Sequence, residues 1–440
     1  MIYLVWAVVF VIAAILYLRE VYTKLDKYGV KYLEPFLTLQ RDGLDTYHII
    51  ECLINQLFRF TGMYDFLNAT IHINDPELIK MVTVKDFEHF IDRRALVDDE
   101  TDTYFGRNLF SMKGHEWKDM RSTLSPAFTS SKMRAMVPFM VEVNEQMIKV
   151  LKKKIKESEA GHIDVDCKDL TTRYANDVIA SCAFGVKLDS HTEENNDFYT
   201  MGKKIATFDF RVILVVLGYL ALLADKATGF FKSLVMNNMK EREMHNIFRP
   251  DMIHLLMEAK KGKLKHDEKD TTDAGFATVE ESEFGTKTVY REWSDDDLVA
   301  QAVLFFVAGF ETVSTTMTFL LYELACHPEV QDRLLQEIKE NDAKTSGKID
   351  FNSIQNLKYL DMVISEVLRL WPPVLGLMRE CVKDYNIGRA NDKATLDYIV
   401  RQGVSIPVWA IHRHSNNFPD PEKFDPERFS EENKGNINMA

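Results

Sequence analysis

SDDDLVAQAVLFFVAGFETVSTTMTFLLYELAC, residues Ser294 to Cys326, is the stretch whose reading decides the fold. Ser294 is placed to cap a helix, and Asp295, Asp296 and Asp297 put negative charge in the first turn, where the helix dipole favours it. Pro328 ends the element. The span predicts a rod of roughly 45 Å at about 1.5 Å per residue, long enough to cross a whole domain. From Ala302 to Leu321 the run is apolar on nearly every face, the pattern of a helix buried all round. Ala308, Gly309, Phe310, Glu311 and Thr312 break it with a bare turn, a carboxylate and a hydroxyl. Each is costly there: glycine loses about 1 kcal/mol against alanine, a buried carboxylate needs a partner, and a threonine hydroxyl competes for the carbonyl of Ala308. Two readings stand. One is a core helix with tolerated blemishes; the other is a helix on which something flat lies, with an acid and an alcohol beside it to move protons.

Around this element the chain of 440 residues has no linker that divides it into balanced halves, so one large domain is expected. Five cysteines, Cys52, Cys167, Cys182, Cys326 and Cys381, lack metal-like spacing and do not form a disulfide framework, which favours a reducing compartment. A net charge of -13 argues against nucleic acid as a partner. Residues 2–18, IYLVWAVVFVIAAILYL, are uncharged and apolar, the short end of a membrane span. A cleaved signal peptide would want a basic start and a small-residue cleavage site, and Arg-Glu-Val-Tyr follows instead. A retained anchor, residues 1–18, is the better reading. Arg19, Lys24, Lys27 and Lys31 then place the body, residues 19–440, on the cytosolic side.

Further along, Ile49, Ile50, Leu53, Ile54, Leu57 and Phe58 repeat at helical spacing. Ile71 and Ile73 flanking His72 suggest a strand, and Asn74 or Asp75 caps a helix with Pro76 at its first position. In HEWKDMRSTLSPAF, Trp117 and Arg121 stand at i and i+4; they form either a grip for a carboxylate or phosphate or a surface cation stacked on an indole. A long helix is expected over 133–158, and another around Tyr174 to Cys182, stopped by Gly185. Val212 to Ala224 is apolar but too short to span; it dips into a membrane surface, roofs a pocket or is core. Residues 260–292 read as a polar loop. In YLDMVISEVLRLWPP, Glu366 and Arg369 share a helix face amid apolar neighbours, so the pair is expected to be buried, with Arg428 of DPERF as a third member. Val404 to Trp409 is a strand candidate.

Together, AGFET in a long apolar helix, WKDMR before it, and EVLR, WPP and DPERF after it resemble the cytochrome P-450 heme-thiolate monooxygenases. The likeness covers nearly the whole chain and is nearest in wording to insect families six and nine. It implies a mainly α fold with small β-sheets, and an anchored protein of the endoplasmic reticulum (microsomal) membrane. The activity implied is insertion of one atom of O2 into lipophilic substrates, xenobiotic or endogenous. Electrons would come from NADPH through a reductase, with cytochrome b5 as a further partner.

On this resemblance Ala308, Gly309, Glu311 and Thr312 line the distal face of a heme, and Thr312 and Glu311 deliver protons. Trp117 and Arg121 hold a propionate, helped by Arg379, and Glu366, Arg369 and Arg428 form a buried charge triad. Phe110, Phe305, Phe306, Val374, Leu375 and Leu377 fall at substrate-contacting positions. The family's glycine-rich loop with the cysteine that ligates iron belongs beyond DPERF, and no cysteine of this sequence matches it. The expectation is therefore a catalytic domain truncated before that loop and its following helix, with no axial metal ligand and no activity as it stands. The alternative is a catalytically dead, anchored relative that binds lipophilic ligands or the reductase.

Overall fold

The computed structural model describes residues 2–33, 58–65, 68–94, 103–206, 221–261, 293–433 and 435. The helix expected over 49–58, apart from Phe58, most of the 212–224 run and nearly all of the 260–292 loop lie outside them. Two units emerge: residues 1–94 with 369–440, and residues 95–368.

The first unit holds the described strands. A sheet of five, in the order β1-β2-β3-β7-β4, joins β1 (Tyr32–Leu33), β2 (Phe60–Asp65), β3 (Asn68–Ile73), β4 (Leu377–Glu380) and β7 (Gly403–Ile406). β5 (Tyr385–Gly388) and β6 (Tyr398–Val400) form a second, antiparallel pair. β3 is buried on both faces from Ala69 to Ile73, because Ile71 and Ile73 join Leu25, Val30, Phe60, Leu78, Val82 and Val404 in one apolar cluster. His72 is carried inward with them. Its register partners are Thr61 on β2 and Ser405 on β7, and all three are buried. Asp75 caps the following α2 (Pro76–Lys80) by accepting from Glu77 N at 2.9 Å. The strand expected over 404–409 is shorter. Pro407 has no N–H for the ladder, so β7 stops at Ile406 and Trp409 falls in a short helix, Val408–His412. α1 (Ile2–Tyr22) presents Trp6, Val9, Phe10, Ile12 and Ile15 exposed.

The second unit is helical. α3 (Thr103–Gly106), α4 (Gly114–Leu124), α5 (Ser130–Glu157), α6 (Cys167–Cys182), α7 (Asp197–Ala206), α8 (Ala221–His245) and α9 (Met252–Lys260) precede α10 (Asp295–Cys326). α11 (Pro328–Thr345), α12 (Phe351–Gln355) and α13 (Lys358–Leu370) follow it. α10 starts where the sequence places it: Ser294 Oγ accepts from Asp297 N at 3.1 Å and Asp297 Oδ2 accepts from Ser294 N at 2.9 Å. The three aspartates do more than neutralise a dipole. Asp295 pairs with Lys260 of α9, Asp296 with Lys232 of α8 at 3.0 Å, and Asp297 with Arg107 at 2.8 Å, so one helical turn ties three neighbours. Deeper in, Phe306 is surrounded by Phe184, Phe198, Phe231 and Phe310, with ring centroids 6.1, 5.5, 4.7 and 5.2 Å away. At the far side, Glu337 of α11 accepts from Tyr359 N and Leu360 N at 2.8 and 3.0 Å, covering the orphan donors that open α13.

The expectation that α10 is buried all round holds only for its first half. Asp297 to Val303, Phe306 and Phe310 are buried, whereas Ala308, Glu311, Val313, Leu321 and Tyr322 are exposed. Apolar composition marks a face that prefers a low dielectric; it does not say what supplies one.

Candidate active site

The break in α10 divides into two faces. Gly309 looks toward α6: a Cβ built there would stand 2.5 Å from Ile179 Cδ1 and 3.2 Å from Cγ1. The glycine is therefore required by close helix packing. Gly309→Val is expected to cost about 1 to 3 kcal/mol by overpacking, partly regained with Ile179→Ala, as read from urea unfolding midpoints. The other face carries Ala308, exposed, and Thr312, half-buried. Thr312 Oγ1 donates to the carbonyl of Ala308, the competition that the sequence anticipates. Its proton so committed, the hydroxyl turns lone pairs outward. Glu311, half-exposed, leans to α6: Oε1 accepts from Lys168 Nζ of α6 at 2.7 Å and from Thr315 Oγ1, one turn on along α10, at 3.3 Å.

Trp117 on α4 is buried, and Arg121, one turn on, is exposed. Among the described residues the Arg121 guanidinium has neither an ion-pair nor a hydrogen-bond partner, as an anion grip requires. The segment before α4 is fixed from two sides. Asn108 Oδ1 accepts from Phe110 N and Ser111 N at 2.9 and 3.1 Å, and Gln301 of α10 accepts from Leu109 N at 2.8 Å while donating to Arg107 O at 3.1 Å. Phe110 is thereby presented exposed from a held backbone. Phe305 packs against Phe128, with ring centroids 5.4 Å apart and the rings tilted by 58°. Phe306 is completely buried among the phenylalanines described above, and a Cβ at Gly202 would meet its ring at 2.3 Å. That placement makes Phe306 a core residue, a correction to its expected substrate contact: full burial inside protein leaves it no surface to present.

In the first unit, Arg379 on β4 is half-buried and donates to Met378 O at 2.9 Å. Burial pushes its pKa down, and among the described residues no carboxylate forms an ion pair with it. Beside β4 lies a half-open cleft lined by Thr70, Arg94, Met378, Arg379, Cys381 and Arg401. Val374 and Leu377 are exposed and Leu375 is half-buried. Arg369 is completely buried, donating to His412 O at 2.9 Å and Lys423 O at 3.3 Å. Arg428 reaches the same Lys423 carbonyl at 3.4 Å and also donates to Asp420 O and Pro419 O. Two guanidiniums thus close one loop, 412–428, by satisfying its carbonyls. Glu366, one turn before Arg369 on α13, is also completely buried.

Within the helical unit, an open small-residue turn with a hydroxyl on it, and an arginine that has no ion-pair partner among the described residues one turn from a buried indole, are features that suit a flat, anionic macrocycle. Among the described cysteines, burial pushes the Cys182 thiol up to about 12 and raises that of Cys381, so both stay protonated at neutral pH. Sequence reasoning missed Lys168, Asn108 and Gln301. Gln301 had a signal, an amide in the apolar run of α10, whereas Lys168 and Asn108 look like ordinary surface residues in sequence.

Comparison with known proteins agrees with the geometry. The Cytochrome P450 family model matches residues 47–439. Cytochrome P450 9e2 of Blattella germanica is 45% identical over 404 residues, covering 86% of this chain and 73% of that protein. Probable cytochrome P450 9f2 of Drosophila melanogaster is 41% identical over 400 residues, covering 86% and 73%. Cytochrome P450 6k1 of Blattella germanica is 36% identical over 389 residues, covering 85% and 71%. An open acid–alcohol turn on the long helix, carried by a chain that matches that family model over almost its whole length, places this protein in the cytochrome P450 family of heme-thiolate monooxygenases.

Proposed function

We propose that this chain serves a microsomal monooxygenase system that oxidises lipophilic substrates, xenobiotic or endogenous, with electrons from NADPH through a membrane-bound reductase and with cytochrome b5 as a further donor. The exposed apolar surface of α1, followed by Arg19, Lys24 and Lys27, supports an anchor in the endoplasmic reticulum with the body in the cytosol. Heme, when bound, supplies the activation of molecular oxygen. The protein's own part is binding and proton supply. Trp117 and Arg121, and separately Arg379, are suited to hold propionates. Ala308 offers a flat surface, and Phe110, Phe305, Val374, Leu375 and Leu377 offer apolar contact to substrate.

Insertion of one oxygen atom leaves the other to depart as water, so each turnover consumes two protons that must arrive at a water-poor place. The carrying observation is the Thr312 hydroxyl bonded back to Ala308 O next to the half-exposed Glu311 carboxylate. Thr312 Oγ1, with its lone pairs outward, steadies a water on the open turn, and Glu311 exchanges protons with solvent. Thr312→Ala is expected to lower product formation by about a hundredfold, the scale of one positioned proton donor, while NADPH oxidation continues and hydrogen peroxide accumulates. The assay follows product, NADPH and peroxide together in reductase-containing membranes. Unchanged product per NADPH consumed would overturn the assignment.

A further inference from the structure

We propose that Lys168 is a positioning residue for Glu311, a cross-helix latch that holds the proton-exchanging carboxylate in one orientation; this rests on the reading of Glu311 given above. An ammonium has three protons. In Lys168 all three find acceptors on a single stretch of α10: Glu311 Oε1 at 2.7 Å, Ser314 Oγ at 3.0 Å and Thr315 Oγ1 at 3.0 Å. The acceptors are themselves organised. Ser314 is completely buried and donates to Glu311 O at 3.1 Å, and Thr315 Oγ1 donates to Glu311 Oε1 at 3.3 Å. The carboxylate oxygen thus receives two donors, and the ammonium completes the ring.

The root of the lysine is as firmly placed as its tip. One turn along α6, Thr171 Oγ1 lies 2.8 Å from Cys167 O, 3.0 Å from Ser314 O and 2.9 Å from Thr318 Oγ1, locking the register of α6 on α10. Farther along the same seam, Ile179 seats against Gly309. Lys168 therefore reaches its acceptors from a fixed base, and the three acceptors define one direction for its ammonium. Glu311 has a side chain 50% exposed and several rotatable bonds. Without the latch it would spread over rotamers in water. An exposed ion pair is worth little to stability, so a purely structural role would leave almost no trace when Lys168 is changed. A positioning role would show in the handling of protons.

Two measurements on the full chain in membranes separate these outcomes. In the first, lysines are acylated competitively and read by mass spectrometry, with Lys153, 74% exposed, as the internal reference. Glu311→Gln is expected to speed labelling of Lys168 by about threefold relative to Lys153, on the scale of an exposed charge pair. No change would overturn the latch. In the second, the heme-loaded chain with reductase is followed for product and peroxide. Lys168→Met should divert electrons to peroxide as Glu311→Gln does, add nothing further in the double variant, and leave the urea midpoint in place; Lys168→Arg should restore the parental ratio. An effect of Glu311→Gln with none of Lys168→Met overturns the inference alone. No effect of Glu311→Gln on product overturns the reading of Glu311 and the latch with it.

Discussion

Arg369→Ala should take away a large share of the stability of the chain and lower its urea unfolding midpoint sharply. Arg369 is among the largest completely buried side chains among the described residues, its guanidinium satisfies the carbonyls of His412 and Lys423, and its charge lies 5.2 Å from the ring of Phe418. Its removal strands the His412 carbonyl, leaves the Lys423 carbonyl only the 3.4 Å bond from Arg428, and leaves the Glu366 carboxylate, one turn away, in a site that excludes water. Breaking a buried ionic network in this way costs about 3 to 5 kcal/mol, against a typical total stability of about 5 to 15 kcal/mol. Arg369→Lys keeps the charge but reaches only one of the two carbonyls, so it should fall between parent and alanine. Arg428→Ala should cost less, since Arg428 is only half-buried and the Lys423 carbonyl keeps its bond from Arg369. Urea unfolding of the detergent-solubilised chain ranks the three. An Arg369→Ala midpoint equal to that of the parent would show that the network carries no stability.

Stability should also fall steeply with acid, because of two buried histidines in the first unit. Burial pushes His72 down to about 4 from an ordinary 6.5, and burial, with the nearby Arg369 and Arg413, pushes His412 down to about 4 as well. His412 donates Nδ1–H to Arg369 O at 3.1 Å, and the ring of His72 has no hydrogen-bond partner among the described residues. In both, the folded state binds its proton less readily than the unfolded one. The favourable contribution of the neutral rings is therefore complete above pH 6.5 and is lost as pH falls from 6.5 toward 4. At about 1.4 kcal/mol per pH unit, each histidine accounts for a loss of about 3 kcal/mol across that window. Urea midpoints measured from pH 7.5 to 4.5 should decline with a slope approaching two protons, and His72→Leu should remove close to one of them. A flat profile would mean that neither histidine is neutral by necessity.

Much of this was legible in the sequence because local chemistry wrote it there. Ser294 with Asp297 is a cap that only a helix start satisfies, and Pro328 is a stop. Thr312 four residues after Ala308 puts a hydroxyl over a carbonyl by helical geometry alone. Glu366 and Arg369 amid apolar neighbours had to be buried. The strand over Val404 to Trp409 reads too long, because apolar alternation continues through Pro407, whereas the ladder stops at Ile406. Phe306 was misjudged because neighbouring phenylalanines on a helix differ by about 100° of rotation, and only packing decides which one meets a ligand and which meets the core.

The sequence by itself determined where the long helix begins, breaks and ends, and which side chains were chemically out of place on it. Tertiary structure alone decided what those side chains meet. Lys168 is 143 residues from Glu311, and Gln301 is 192 residues from Leu109, from whose N–H it accepts, with α5 and α6 between them in the chain order. Helical periodicity orders neighbours three and four residues apart, so it could write Thr312 onto Ala308; no local rule reaches across helices. Gly309 shows the division in one residue. Its presence was readable as a cost to the helix, and its reason, the Ile179 side chain, exists only once α6 has packed.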